Sequence, residues 1–381
     1  MPGKRTLNVP RPVLPGKVYM LLPRYAGEEA VPDMMDLLRQ DREVWDLFTR
    51  KEEYEESDRD RFDRFPYYQS RHRDVFAPRA SQVLVENGFS CEYPESQPFA
   101  ICLSHDVDTV YQPLHVRGFE IVKALRARRL LHAGNIIGQL SPGKCREQTF
   151  EEITGLEESY GARSTFYFLA LEKGAREYAY PIEDLEREMS ALRDRGWEIG
   201  LHGGCEAYRD FDTLVKEKRY LERVLNRKVT GYRSHYLRFR VPETWELLER
   251  AGFLYDTTLG YPDCIGFRNG MCHPFRPFNL NREREMAILE IPLVVMDRTL
   301  LLHMRLNPER AWNRMKRLLE AVERYHGVIT VLWHNEFMNG DPLRFYRKIL
   351  EYGHEKGAWM TGGHEIAAWW RRERMRPPAG P

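Results

Sequence analysis

The stretch Ile101-Cys102-Leu103-Ser104-His105-Asp106-Val107-Asp108 decides how the rest of the chain is read. Its apolar start reads as a buried strand, closed by two acidic residues spaced one apart. Strand side chains alternate, so Asp106 and Asp108 point the same way. Two carboxylates on one side of a strand end repel unless a cation or a proton stands between them. The C-terminal end of a strand is also the usual mouth of an α/β active site. A solvated Asp-x-Asp turn has the same tripeptide, so the choice rests on what lies downstream.

From about Phe99 onward, apolar or β-branched runs ending in polar residues recur at 99–105, 163–169, 196–202, 229–234, 252–258, 287–295 and 328–334. A segment at 357–361 is a candidate eighth. Charged helical stretches, such as 181–189 and 308–313, separate several of them. The alternation predicts a barrel-like parallel α/β fold with its chemistry at the C-terminal strand ends.

The flanks differ. Residues 1–95 begin Pro-rich and turn strongly charged, with runs at 39–42, 50–53 and 58–61 that read as solvated faces. Met35, Leu37, Leu38, Val44, Trp45, Leu47 and Phe48 are spaced for amphipathic helices, so a helical extension packed on a barrel domain at 96–370 is expected. The connection at about 110–160 is long, with a basic run at 126–129 and a Gly/Pro break at 141–143. It reads as a decorated helix or a lid. Residues 371–381 read as a fraying tail.

With 381 residues, 42% of them hydrophobic, the chain has ample material for one large core. A net charge of +1 gives no global field toward nucleic acid or membrane. No apolar run approaches the roughly 18 residues of a membrane helix. The apolar stretch at 18–22 is too short for a signal peptide, and the six cysteines form no CxxC pair. A reduced, cytoplasmic protein is expected.

The strand ends carry the candidate chemistry. His202 closes the third run, before two glycines, and is a candidate metal ligand. Arg233 closes the fourth and is a fixed cation able to hold an ionised Asp106. His235, two residues on, is expected to point the same way. Asp297 lies beyond the sixth run, and His334 closes the seventh, on a strand expected to stand opposite the first. Asp106, Asp108, His202, Arg233, His235 and His334, six titratable groups at strand ends of one array, are far more specific than any single motif.

Those residues resemble the polysaccharide deacetylase (NodB-homology) family, carbohydrate esterases built on a distorted (β/α)7-8 barrel. The resemblance covers about 99–370. It rests on residues 103–108, on Glu198-Ile199-Gly200-Leu201-His202, on Arg233-Ser234-His235-Tyr236, on Glu290-Ile291-Pro292 and on Leu332-Trp333-His334. It implies a metal-dependent hydrolase of amide C–N bonds, with Asp106 as general base, Arg233 positioning it and His334 as general acid. Asp108 and His202 would be metal ligands, and the Tyr236 backbone N–H would face the oxyanion. Tyr236, Arg268 and Trp333 are taken as substrate contacts. Two departures stand out. Where the family has a second histidine, four residues after the first, this chain has Glu206; where the third motif has proline, it has His235. We therefore expect His235 as third ligand, with Glu206 as its rival, and zinc as the cation, because imidazoles argue against magnesium.

The expected substrate is an N-acetylated sugar, nucleotide- or lipid-linked if the protein is cytoplasmic. Other readings remain open at this point. A degenerate barrel would bind glycan or scaffold other proteins without turnover. An Asp-x-Asp phosphatase needs a downstream Lys and a late acidic pair where Trp333-His334-Asn335 stands. An Asp-x-Asp glycosyltransferase leaves the histidines unexplained.

Overall fold

The computed structural model of the chain describes residues 34–55, 58–111 and 150–374. The opening stretch is strand β1, Ala100–Val107, buried at every position. Alternation sends His105 outward, to Glu157 and Tyr346, and Ser104 and Asp106 inward, to Arg233. The other expected runs all contain strands: β2 Thr165–Leu169, β3 Glu198–Gly203, β4 Gly231–Ser234 and β5 Tyr255–Asp256. A short antiparallel hairpin follows, β6 Phe278–Asn279 with β7 Arg284–Glu285. The set closes with β8 Leu289–Glu290, β9 Leu293–Met296, β10 Val328–Leu332 and β11 Trp359–Thr361.

Nine of these strands make one parallel sheet, ordered β8-β5-β4-β3-β2-β1-β10-β9, with β11 on the first half of β1. The run expected over 287–295 is split between β8 and β9 at Ile291-Pro292, because proline has no N–H to give a ladder. The curled sheet is open between β8 and β9. One expectation is corrected: β10 pairs directly with β1, Ala100 opposite Val328 through Ser104 opposite Leu332. His334 thus stands beside Asp106's strand, not across the barrel from it.

The barrel interior is partly polar. Gly200 and Gly231 admit two tyrosine rings, since a Cβ there would lie 2.4 Å from Tyr167 and 2.2 Å from the Tyr255 hydroxyl. Tyr255 donates to Glu198 at 2.6 Å, and Tyr167 to Tyr255 at 3.2 Å. Thr257 donates to Tyr167, and Arg233 Nε to Thr257 at 2.9 Å. A chain of hydrogen bonds therefore rises from Glu198, at the start of β3, to Arg233 at the mouth.

Short helices α1 Met34–Arg39, α2 Arg42–Phe48 and α3 Arg79–Glu86 precede β1. Met35, Leu37, Leu38, Val44, Phe48 and Leu84 join the same apolar core as the barrel. The charged run at 50–53 corrects the solvated-face expectation. Arg50 and Glu53 are fully buried and paired at 2.8 Å, and Arg268 reaches Glu53 at 2.6 Å. The basic run at 126–129 and the break at 141–143 lie outside the described residues, as does the chain beyond 374. Helix Gly363–Arg374 takes in the first residues of the expected tail. Among the described residues no helix is long and apolar enough to cross a membrane, and no two cysteines are joined.

Candidate metal centre and active site

Three histidines converge on Asp108. His202 Nε2 lies 3.2 Å and His235 Nε2 3.6 Å from Asp108 Oδ1; His334 Nε2 lies 3.6 Å from Oδ2. The far nitrogen of each ring faces an oxygen. His202 Nδ1 is 3.1 Å from the Arg233 carbonyl, His235 Nδ1 is 3.0 Å from Glu177 Oε2, and His334 Nδ1 is 2.7 Å from Asp297 Oδ1. A carbonyl or carboxylate oxygen only accepts, so each Nδ1 carries its proton. The Nε2 of a neutral ring then turns a lone pair toward a carboxylate that also only accepts. Such a cluster needs a cation or extra protons at its centre.

The electrostatics agree. Burial would raise the Asp108 carboxyl, but His235, His202 and His334 outweigh it and hold the group well below its usual range. Burial would lower both His235 and His334. Asp108 and Glu177 instead push His235 up to about 9, and Asp297 pushes His334 up to about 9. Glu177 is resisted by burial but brought down to about 2 by His235 and Arg238, which donates to it twice.

Asp108, His202 and His235 each present one donor atom, all within 4.8 Å of one another. The donor set fits a divalent ion with borderline-soft preferences: two imidazoles, one carboxylate, and an outer oxygen on each ring. Glu206 is elsewhere. It is half-buried, with Oε2 2.6 Å from Arg209 Nε and Oε1 accepting from Cys205.

Asp106 sits beside this set, with Oδ2 3.5 Å from His202 Nε2 and Oδ1 3.4 Å from the Arg233 guanidinium. Arg233 is fully buried, lies over the Tyr167 ring and also donates to Ser104. Asp297, at the end of β9, accepts the His334 backbone N–H as well as facing its ring. Arg298 reaches Asp108 Oδ2 at 3.6 Å and pairs with Glu336.

The expected substrate contacts divide. Tyr236 is 37% exposed at the rim, in a left-handed conformation with φ 60°. Arg268 and Trp333 do not reach the site. Arg268 is spent on Glu53 and on the Gly260 carbonyl, and Trp333 is fully buried and stacked on Phe345. Each side chain is held in the interior instead. Glu177 and Arg298 were missed. Neither closes an apolar run, and no local spacing marks them.

No protein-family model matches the chain. Over 133 residues it is 29% identical to the peptidoglycan deacetylase-like protein FGM2 of Gibberella zeae, spanning 30% of this chain and 38% of that protein. A solved structure from Mycobacterium smegmatis, assigned as a polysaccharide deacetylase, aligns with TM-score 0.51 at 19% identity, over 76% of this chain and 96% of the other. One from Pseudomonas aeruginosa PAO1, likewise assigned, aligns with TM-score 0.51 at 13% identity, over 80% and 99%. At such identities the structural likeness is one of fold. The curled parallel sheet, open between β8 and β9, is the NodB-type barrel fold of the polysaccharide deacetylases.

Proposed function

We propose that the chain hydrolyses the N-acetyl amide of a sugar or glycan intermediate, releasing acetate, with a divalent ion held by Asp108, His202 and His235. The observation that carries this is the convergence of two Nε2 atoms on Asp108 Oδ1, with each Nδ1 engaged by an oxygen. The ion supplies Lewis acidity toward an acetyl carbonyl and toward water, and zinc suits two imidazoles and a carboxylate. Asp106, kept in place by Arg233, takes the proton of the attacking water. His334, held by Asp297, gives a proton to the departing amine. Base and acid come from adjacent strands, β1 and β10, so the scissile bond lies across the gap between their C-terminal ends.

One observation favours a second reading. Arg298 at 3.6 Å from Asp108 places a built-in cation beside the proposed ligand, as a degenerate, glycan-binding barrel without metal would. Metal analysis coupled to acetate release across free, nucleotide-linked and lipid-linked N-acetylated sugars separates the two. The proposal expects one zinc per chain and chelator-sensitive acetate release. Zinc binding should be sharply weakened in His235→Ala, where Asp108 and His202 remain as donors, and kept in Glu206→Ala. A protein that takes up no metal and releases no acetate is the degenerate barrel.

A further inference from the structure

The two proposed imidazole ligands are held in different ways. His202 lies within β3, and its Nδ1 faces a backbone carbonyl of the neighbouring strand. His235 lies past the end of β4, on a turn whose next two residues, Tyr236 and Leu237, are both left-handed, with φ 60° and 56°. A side chain on such a turn needs outside contacts to keep one rotamer.

Those contacts come from elsewhere in the chain. Glu177, in the connection after β2, faces Nδ1 at 3.0 Å and is itself left-handed, with φ 68°. Arg238 grips that carboxylate at 2.9 and 2.6 Å. The Tyr236 ring packs on the imidazole with centroids 4.2 Å apart. Phe62, from the segment before the barrel, stacks on Tyr236 at 4.8 Å with planes 10° apart. Arg64 holds the Tyr236 carbonyl at 3.1 Å, Arg59 holds that of Phe239 at 2.8 Å, and Asp63 receives Arg240 Nε at 2.8 Å. Segment 58–65 is thus tied to the turn on both sides of its aromatic contact.

We infer that His235 is positioned from outside its own strand, by Glu177 and by Phe62 acting through Tyr236, so that the N-terminal segment is a working part of the metal centre. The inference rests on the metal-centre reading above. It assigns Phe62 and Glu177 as positioning residues, neither of which touches the ion.

The test is zinc titration of metal-free full-length protein against a competing chelator, with the cobalt(II) absorption spectrum as a second readout. Phe62→Ala and Glu177→Ala should each weaken zinc binding about 10- to 100-fold and alter the cobalt spectrum. Phe62→Tyr keeps the ring and should bind like the parent. In a His235→Ala background, where the imidazole they position is gone, neither substitution should weaken the residual zinc binding further. Equal weakening in both backgrounds would show a general effect on folding and overturn the inference. A parent that binds zinc alongside variants that bind equally well overturns the positioning role and leaves the metal centre standing. A parent that binds no zinc removes the metal centre itself, and the positioning role with it.

Discussion

Asp297 holds His334 at two points, its Oδ1 2.7 Å from the ring Nδ1 and its Oδ2 accepting the backbone N–H at 2.6 Å. The double grip fixes both the tautomer and the direction of Nε2. Together with Asp108 it also overcomes burial and raises the imidazolium to about 9. An acid acts only while protonated, so activity should persist until pH climbs through that value. Asp297→Asn keeps the size and removes the largest charge that opposes burial. The alkaline limb of kcat should move down by about one to three pH units, and kcat at pH 8 should fall on the order of a hundredfold. A pH profile identical to the parent's would remove Asp297 from this role.

The two aspartates of the opening stretch should separate cleanly. Asp106 faces Arg233 and the edge of His202, whereas Asp108 faces three imidazoles and Arg298. Asp106→Asn should bind zinc as the parent does and lose about 10²–10⁴ in kcat. Asp108→Asn should lose the metal, because a neutral amide replaces the one anionic donor of the set. Normal turnover by Asp106→Asn, measured as acetate release, would refute the assignment.

Arg268 should matter for stability and not for substrate. Its guanidinium is buried against Glu53, which also carries Arg50, so these three charges join the N-terminal segment to the barrel. Arg268→Met breaks a buried pair and should cost about 3–5 kcal/mol of unfolding free energy. It should lower the urea midpoint with KM unchanged for the folded fraction. A raised KM at an unchanged midpoint would return Arg268 to the substrate.

The alternation of apolar runs predicted every strand of the barrel, because a parallel strand buried on both faces leaves an unbroken apolar signature. Pro292, with no N–H to give a ladder, marks the split of β8 from β9. Asp106, Asp108, His202, Arg233 and His334 were legible because each closes such a run, where the fold collects its side chains. Glu177 and Phe62 were not, since their relation to His235 is created by tertiary packing of a loop and a flanking segment. Nor was the burial of Arg50 and Glu53. A charged run shows its partners only once the distant Arg268 is placed beside it.

Glu217 offers a stability test apart from the proposed ligands. It lies on helix Phe211–Leu225, 6% exposed, and its Oε2 accepts the Gly204 N–H at 2.8 Å. Burial outweighs that bond and pushes the carboxyl up to about 7. The folded value is above the unfolded one of roughly 4.3, so folding favours the protonated form. Its contribution is fully present below that unfolded value and is lost as pH rises through 7. Glu217→Gln keeps an acceptor for Gly204 and cannot ionise. The variant should come nearest the parent at pH 4 and be more stable at pH 8, by about 1–3 kcal/mol. Denaturant unfolding at both pH values measures the difference. A stability difference that stays constant from pH 4 to pH 8 would show that Glu217 does not titrate in this range.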